Sequence, residues 1–269
     1  MTDPDVFDLV LKGVGGTASV LTLGTWLKSV VDKARADDAA GNIRRTLRKA
    51  WDRVDPRKMK QGALLPGAFM KWFDHVRYVD DDQLQDLWAD LLAGALEGRH
   101  DDHRIGWAMN QLAKLAPQDA IVLSAARAGR TLWIETDREP NHPGWRLRDS
   151  LWFLSDESLF WVTDLSVKDA TSAIKRRLSA EPDSWETRRG STTILCVHIS
   201  HYSAGVTSQV HIELYGMKDN ITSFTDTIGV RALSDYGEYE PFLQSDTTIM
   251  ARLSGLMEEI TLGKLVNQP

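Results

Sequence analysis

The sequence predicts an α+β fold, with an N-terminal helical bundle followed by a mixed β/α C-terminal part. Apolar residues recur at helical spacing through the first 128 residues. Beyond Gly129, short runs rich in β-branched and aromatic residues alternate with Gly, Pro and Asn. The connections between the first helices are short, which favours antiparallel neighbours in a bundle. We therefore expect a helical domain over residues 1–128 and a mixed β/α domain over residues 129–269.

The sequence predicts a polar helix followed by a shorter apolar helix. The polar helix is predicted over residues 32–55, with a potential break at Gly41-Asn42 and an end at Pro56. The shorter helix is predicted to begin at Pro66, because proline suits a first turn, and to continue to Val76.

The stretch DDDQLQDLWADLLAGAL, residues 80–96, has the sharpest pattern of the chain. Its carboxylates at Asp80, Asp81 and Asp82 are suited to capping the free N–H groups of a helix N-terminus. Gly98 follows as a C-terminal stop. Seven residues at helical spacing predict one continuous buried stripe: Leu84, Leu87, Trp88, Leu91, Leu92, Ala95 and Leu96. Capping and core packing therefore account for this segment without catalysis.

The remaining elements are predicted from shorter patterns. Two helices are expected over residues 103–115 and 117–129. Strands are expected over residues 130–136, 158–164, 192–200 and 208–216, with a helix over residues 167–180 between the second and third strands. The tail from Asp246 has helical spacing and is expected to close the domain.

Composition restricts the class of protein. The chain has 269 residues, a net charge of −6 and a single cysteine, Cys196, so an intrachain disulfide is excluded and a cysteine-based zinc site is disfavoured. The longest uncharged stretch, residues 13–27, is shorter than a membrane span of roughly 20 residues and contains four glycines. We expect a cytoplasmic protein without a transmembrane segment. Residues 20–31 have the spacing of a core-packing helix, and an interfacial or partner-facing segment stays as the alternative.

A basic run gives the candidate binding residues. Between residues 44 and 60, eight Lys and Arg residues face only Asp52 and Asp55. The candidates for binding an anion or a nucleic acid are Arg44, Arg45, Arg48 and Lys49. A solvated helix face is the simpler interpretation of the same pattern.

Nothing in the sequence makes a positive case for an enzyme, a cofactor or a metal. His198, His201 and His211 offer three imidazoles for a cryptic metal-dependent hydrolase. However, residues three apart on a strand point to opposite faces, so His198 and His201 would not converge without a bulge. We expect no catalytic residues, no metal and no cofactor.

Two segments resemble the Abi-alpha family of bacterial abortive-infection proteins. The first matches the family's Leu-Gln-x-Leu-Trp-Ala-x-Leu-Leu-Ala run after an acidic cap, and Leu115, Pro117, Asp119 and Ala120 are similar to its later Leu-x-Pro-x-Asp-Ala segment. Ala116 stands between Leu115 and Pro117. Residues 130–230 diverge from the family. The resemblance spans roughly residues 60–128, and residues 232–243 faintly resemble a closing element. The matching residues of the first run are Leu84, Gln85, Leu87, Trp88, Ala89, Leu91, Leu92 and Ala93.

The resemblance implies a role in defence against phage, by arrest or death of the infected cell. It implies no chemistry. We therefore expect an anti-phage protein that acts by binding, with an unknown protein partner or phage trigger and with a homo-oligomer left open. The alternatives are a nucleic-acid-binding protein that uses the basic helix at residues 43–60 and a membrane-active effector that uses residues 6–31.

Overall fold

The computed structural model describes residues 38–55, 57–60, 64–128, 131–136, 143–179, 193–201, 208–231 and 236–267. It confirms the predicted α+β class. The core-packing helix expected over residues 20–31 and the membrane-active segment considered over residues 6–31 lie outside the described residues. The helices are α1 (Asp38–Arg53), α2 (Pro66–Val76), α3 (Asp82–Leu96), α4 (Asp102–Leu112), α5 (Pro117–Arg127), α6 (Pro143–Asp156), α7 (Val167–Ser179), α8 (Asp219–Thr227) and α9 (Asp246–Thr261). The strands are β1 (Thr131–Glu135), β2 (Phe160–Leu165), β3 (Thr193–His201), β4 (Ser208–Met217), β5 (Leu243–Gln244) and β6 (Leu265–Asn267), and a 3-10 helix spans Gly237–Phe242.

The chain divides into two compact units. The first contains the segment up to Pro117 together with Phe224–Val230, and the second contains Gln118–Ser223 and Arg231–Pro269. The first unit therefore takes in a short segment from far along the chain, which no local sequence pattern signals. The predicted division into a helical domain over residues 1–128 and a mixed β/α domain over residues 129–269 stays a prediction.

Helix α1 continues through Gly41 and Asn42 without the break that the sequence suggested. Asn42 is buried, and its Nδ2 donates a hydrogen bond to the carbonyl of Arg77 at 3.3 Å. Because its side chain has a partner, Asn42 does not compete with the backbone for hydrogen bonds at this point.

Helix α3 confirms the predicted pattern of residues 80–96. Asp81 is the N-cap residue, and its side chain accepts a hydrogen bond from the backbone N–H of Leu84 at 2.9 Å. Gly98 follows the helix with φ +63°, a left-handed conformation that favours glycine. The seven residues of the predicted stripe are all buried, and the buried indole of Trp72 donates to the carbonyl of Trp88 at 2.9 Å.

The second unit contains a mixed sheet in the order β2-β4-β3-β1-β5. The β2–β4, β3–β4 and β1–β5 pairs are antiparallel, whereas β1–β3 is parallel. Strand β6 pairs with β4 in parallel over Ser208–Val210, beyond the part of β4 that pairs with β2. One face of the sheet packs against α7 and α9 through a buried apolar cluster: Trp133, Val167, Ala170, Val210, Ile212, Leu214, Ile249, Leu253 and Leu265.

Because side chains alternate along a strand, His211, Glu213 and Tyr215 of β4 lie on the opposite face from Ile212 and Leu214. Helix α6 packs near strands β1 and β2, and its Arg148 contacts Glu213 directly. This face of the sheet is therefore polar at its centre, unlike the face that packs against α7 and α9.

Candidate functional site

Helix α1 exposes three of the four predicted binding residues. Arg44, Arg45 and Arg48 are exposed, and we name this group the arginine face. Arg45 also donates a hydrogen bond to the side chain of Asn42, one turn earlier. Residues four apart are neighbours on a helix surface, so Arg44 and Arg48 lie side by side. The arginine face therefore presents clustered guanidinium groups, which suit carboxylate or phosphate partners.

Lys49, the fourth predicted residue, has a structural contact instead. Its Nζ lies 2.6 Å from Oδ1 of Asp82 and 2.9 Å from Oδ1 of Asp86, both on α3. One turn later, Arg53 lies 2.7 Å from Oδ1 of Asp86 and 3.5 Å from Oδ2 of the buried Asp90. These ion pairs hold α1 against α3. Lys49 therefore has a structural role and is not part of the arginine face.

The loop after α3 contains a second buried carboxylate. Glu97 accepts a hydrogen bond from the backbone N–H of Asp55 at 2.7 Å and one from Nε of Arg99 at 2.6 Å. Burial alone would raise the pKa of Glu97, but the Arg99 hydrogen bond, the Asp55 N–H and the positive charges of Arg99 and Lys58 together lower it below its usual value. Glu97 is therefore held ionised as a structural tie between the ends of α1 and α3.

The second unit brings His211 close to two carboxylates. Asp164 of β2 and Glu213 of β4 are register partners on adjacent strands, and His211 lies two residues before Glu213 on the same face. Nε2 of His211 lies 3.0 Å from Oδ1 of Asp164 and 3.7 Å from Oε1 of Glu213. We name these three residues the His211 cluster. Asp164 is exposed, His211 is half-buried and Glu213 is buried, so the cluster is reached from solvent on the Asp164 side.

Glu213 is held by two further donors. Arg148 donates from Nε to Oε2 at 3.3 Å and from its terminal nitrogen to Oε1 at 3.1 Å, and the Tyr215 hydroxyl donates to Oε2 at 3.1 Å. Burial alone would raise the pKa of Glu213, but Arg148, Tyr215 and His211 lower it below its usual value. The carboxylate is consequently ionised and fixed in orientation.

Arg148 also borders an open groove along α6. The groove has a volume of about 500 Å³ and is lined by Arg148, Asp149, Trp152, Phe153 and Asp156. Trp152 is 65% exposed and gives the groove an apolar wall. The groove and the His211 cluster are thus linked through one guanidinium.

The three histidines of the metal-dependent hydrolase alternative lie on β3 and β4. The β3–β4 register pairs His198 with His211 and His201 with Ser208, while the side chains of His198 and His201 lie outside the described part of the structure. Asp164 and Glu213 were not predicted from the sequence as neighbours of His211. The His-x-Glu spacing of His211 and Glu213 was a local signal that these two side chains share one face of a strand. Asp164 comes from the pairing of β2 with β4, and that register could not be read from the sequence.

No family model, no curated protein and no solved structure matches the chain. Within the described ranges, no helix combines the length and the apolar character needed to cross a membrane.

Proposed function

We propose that the chain is a cytoplasmic bacterial anti-phage protein of the abortive-infection type, which acts by binding a partner. The resemblance of residues 60–128 to the Abi-alpha family supports the defence role. The residues that match this family in α3 are buried core residues. Residues in a packed core account for a shared fold, so the specific activity has to come from surface groups.

The arginine face is the observation that carries the binding part of the proposal. Arg44, Arg45 and Arg48 are exposed on one helix of a chain whose net charge is −6. A cationic patch on an acidic protein directs binding towards a local anionic surface while the remaining surface repels it. We infer that the partner presents carboxylates or phosphates to α1.

A liquid-culture infection assay tests the defence role. The gene is expressed from its native chromosomal neighbourhood, so that products of adjacent genes are present, and the cells are infected with a phage panel. Protection at low multiplicity of infection with culture collapse at high multiplicity is the expected result. Unchanged lysis at low multiplicity for every phage would overturn the proposal, and cell survival at high multiplicity would exclude the abortive mechanism.

Nucleic-acid binding is the second candidate function, and the same arginine face favours it. Each phosphate contact contributes a slope of about −0.9 for duplex DNA, or about −0.7 for single strands, to a plot of log affinity against log salt concentration. Replacing Arg44, Arg45 and Arg48 with Gln is expected to reduce the magnitude of that slope by roughly 2–3 if all three contact phosphates. An affinity that is independent of salt, or unaffected by the three substitutions, would exclude this candidate.

The membrane-active alternative depends on residues 6–31, which lie outside the described residues. Liposome co-sedimentation of the full chain and of a variant lacking residues 6–31 separates it from the two binding candidates. Pelleting of the full chain alone would favour the membrane alternative over the proposal.

A further inference from the structure

We propose that Asp164, His211 and Glu213 form a binding site for a divalent transition metal ion. This inference is independent of the anti-phage proposal, because it concerns a different unit of the chain and a different ligand.

The chemistry of the three donors suits such an ion. An imidazole nitrogen and two carboxylate oxygens match the preferences of zinc and its first-row neighbours, since imidazole favours these metals over magnesium and calcium. Three protein donors leave one or more coordination positions open to water or to a substrate, as in catalytic rather than structural zinc sites.

The distances between the donors also fit. One donor atom from each of the three residues lies within 4.8 Å of the other two. Metal bonds of about 2.0–2.1 Å at a tetrahedral angle separate neighbouring donors by roughly 3.3–3.4 Å. The observed separations from Nε2 of His211, 3.0 Å to Asp164 and 3.7 Å to Glu213, lie on either side of that value. The exposed Asp164 side chain is the donor that can shift to adjust these separations to a bound ion.

Glu213 is oriented by contacts of the kind that support metal ligands. The oxygen nearer His211, Oε1, would bind the ion, while Oε2 would keep its hydrogen bonds from Nε of Arg148 and from the Tyr215 hydroxyl. Donors of this type fix a ligating carboxylate in place and tune its affinity. The terminal nitrogen of Arg148, which donates to Oε1 at 3.1 Å, is the contact that the ion would replace.

The charge of the site permits a cation. Asp164 and Glu213 contribute two negative charges and Arg148 one positive charge, so the net charge of these three side chains favours a cation. The site opens towards solvent through the exposed Asp164, which provides the entry path.

Zinc titration of the untagged, chelator-treated full chain tests the proposal. We expect calorimetry to show one Zn²⁺ bound per chain, with an affinity lowered by more than about tenfold in Asp164→Asn and in His211→Gln. Two substitutions are matched controls, Asp149→Asn at an exposed acid of the α6 groove and His103→Gln at an exposed histidine, and both should bind as the wild type does.

Thermal unfolding provides a second readout and a check on folding. Zn²⁺ should raise the melting temperature of the wild type, because a ligand of the folded state stabilises it, and should raise that of Asp164→Asn less. Asp164 is exposed, so this variant is expected to melt like the wild type without metal. Absence of zinc binding by the wild type, or equal binding by folded Asp164→Asn, would overturn the proposal.

Discussion

A Cβ atom placed on Gly229 would lie 2.4 Å from Cβ of Asp90 and 2.7 Å from its Cγ. Gly229 has φ +68°, and it belongs to the segment Phe224–Val230 that groups with the first unit. Both the backbone conformation and the close approach thus require glycine at this position. The contact explains how a segment more than a hundred residues away along the chain fits beside α3.

Gly229→Ala is therefore expected to destabilise the protein by at least about 2 kcal/mol, because it combines left-handed strain with a steric overlap. Urea unfolding measures the change in the free energy of unfolding. Gly106→Ala is the matched control, since Gly106 lies inside α4 and an added Cβ would meet no atom within 4 Å. The control should stabilise the protein by about 0.5–1 kcal/mol, and an equal loss in both variants would contradict this account.

Arg53→Met is expected to destabilise the protein by about 1–3 kcal/mol. The substitution keeps much of the aliphatic stem but removes the cation that lies near Asp86 and the buried Asp90. Lys58→Met serves as the comparison, because Lys58 and Asp55 form an exposed pair at 3.8 Å. Loss of that pair should lower the free energy of unfolding by less than about 1 kcal/mol in the same urea experiment. Similar effects of the two substitutions would show that Arg53 does not hold α1 to α3.

Protonation of Glu97 is expected to lower the free energy of unfolding in acid. Its pKa in the folded state lies below the unfolded value, so its stabilising contribution is complete above the unfolded pKa and is lost as pH falls through the folded pKa. Glu97→Gln should therefore lower the free energy of unfolding at pH 7, and its difference from the wild type should shrink at pH 3. Urea unfolding at both pH values measures this difference.

The exposed Glu258 provides the control for that experiment. Glu258→Gln should change the free energy of unfolding by less than about 0.5 kcal/mol at either pH. Glu97→Gln and the wild type could instead differ in the free energy of unfolding by the same amount at pH 3 as at pH 7. That result would exclude an ionised Glu97 as a stabilising link between α1 and α3.

Much of the helical part could be predicted from the sequence because its signals are local. The stripe of α3, its Asp81 cap and its Gly98 stop lie within twenty residues of one another, and each has a direct physical cause. The potential break at Gly41-Asn42 did not occur, because Asn42 finds a partner in Arg77, far away in the sequence. Such a partner cannot be read from helix propensity.

Helix α6 and the His211 cluster were missed for related reasons. The buried residues of α6 include Gly144 and Ser150, and its exposed Trp152 interrupts the apolar pattern that identifies a helix. The cluster depends on the register of β2 against β4, which long-range pairing decides. The exposure of Arg44, Arg45 and Arg48 agrees with the basic run in the sequence. The ion pairs of Lys49 with Asp82 and Asp86 depend on the packing of α1 against α3, which the sequence does not reveal.

The proposed role of the arginine face in protection is tested by reversing its charge in the infection assay. Arg44, Arg45 and Arg48 are replaced together with Glu. The control carries the same change in net charge at three exposed lysines of the second unit: Lys168, Lys175 and Lys264. Urea unfolding verifies that both variants are folded. We expect the arginine variant to lyse like cells without the gene while the lysine variant protects like the wild type. Full protection by the folded arginine variant would exclude the arginine face as the surface that carries protection.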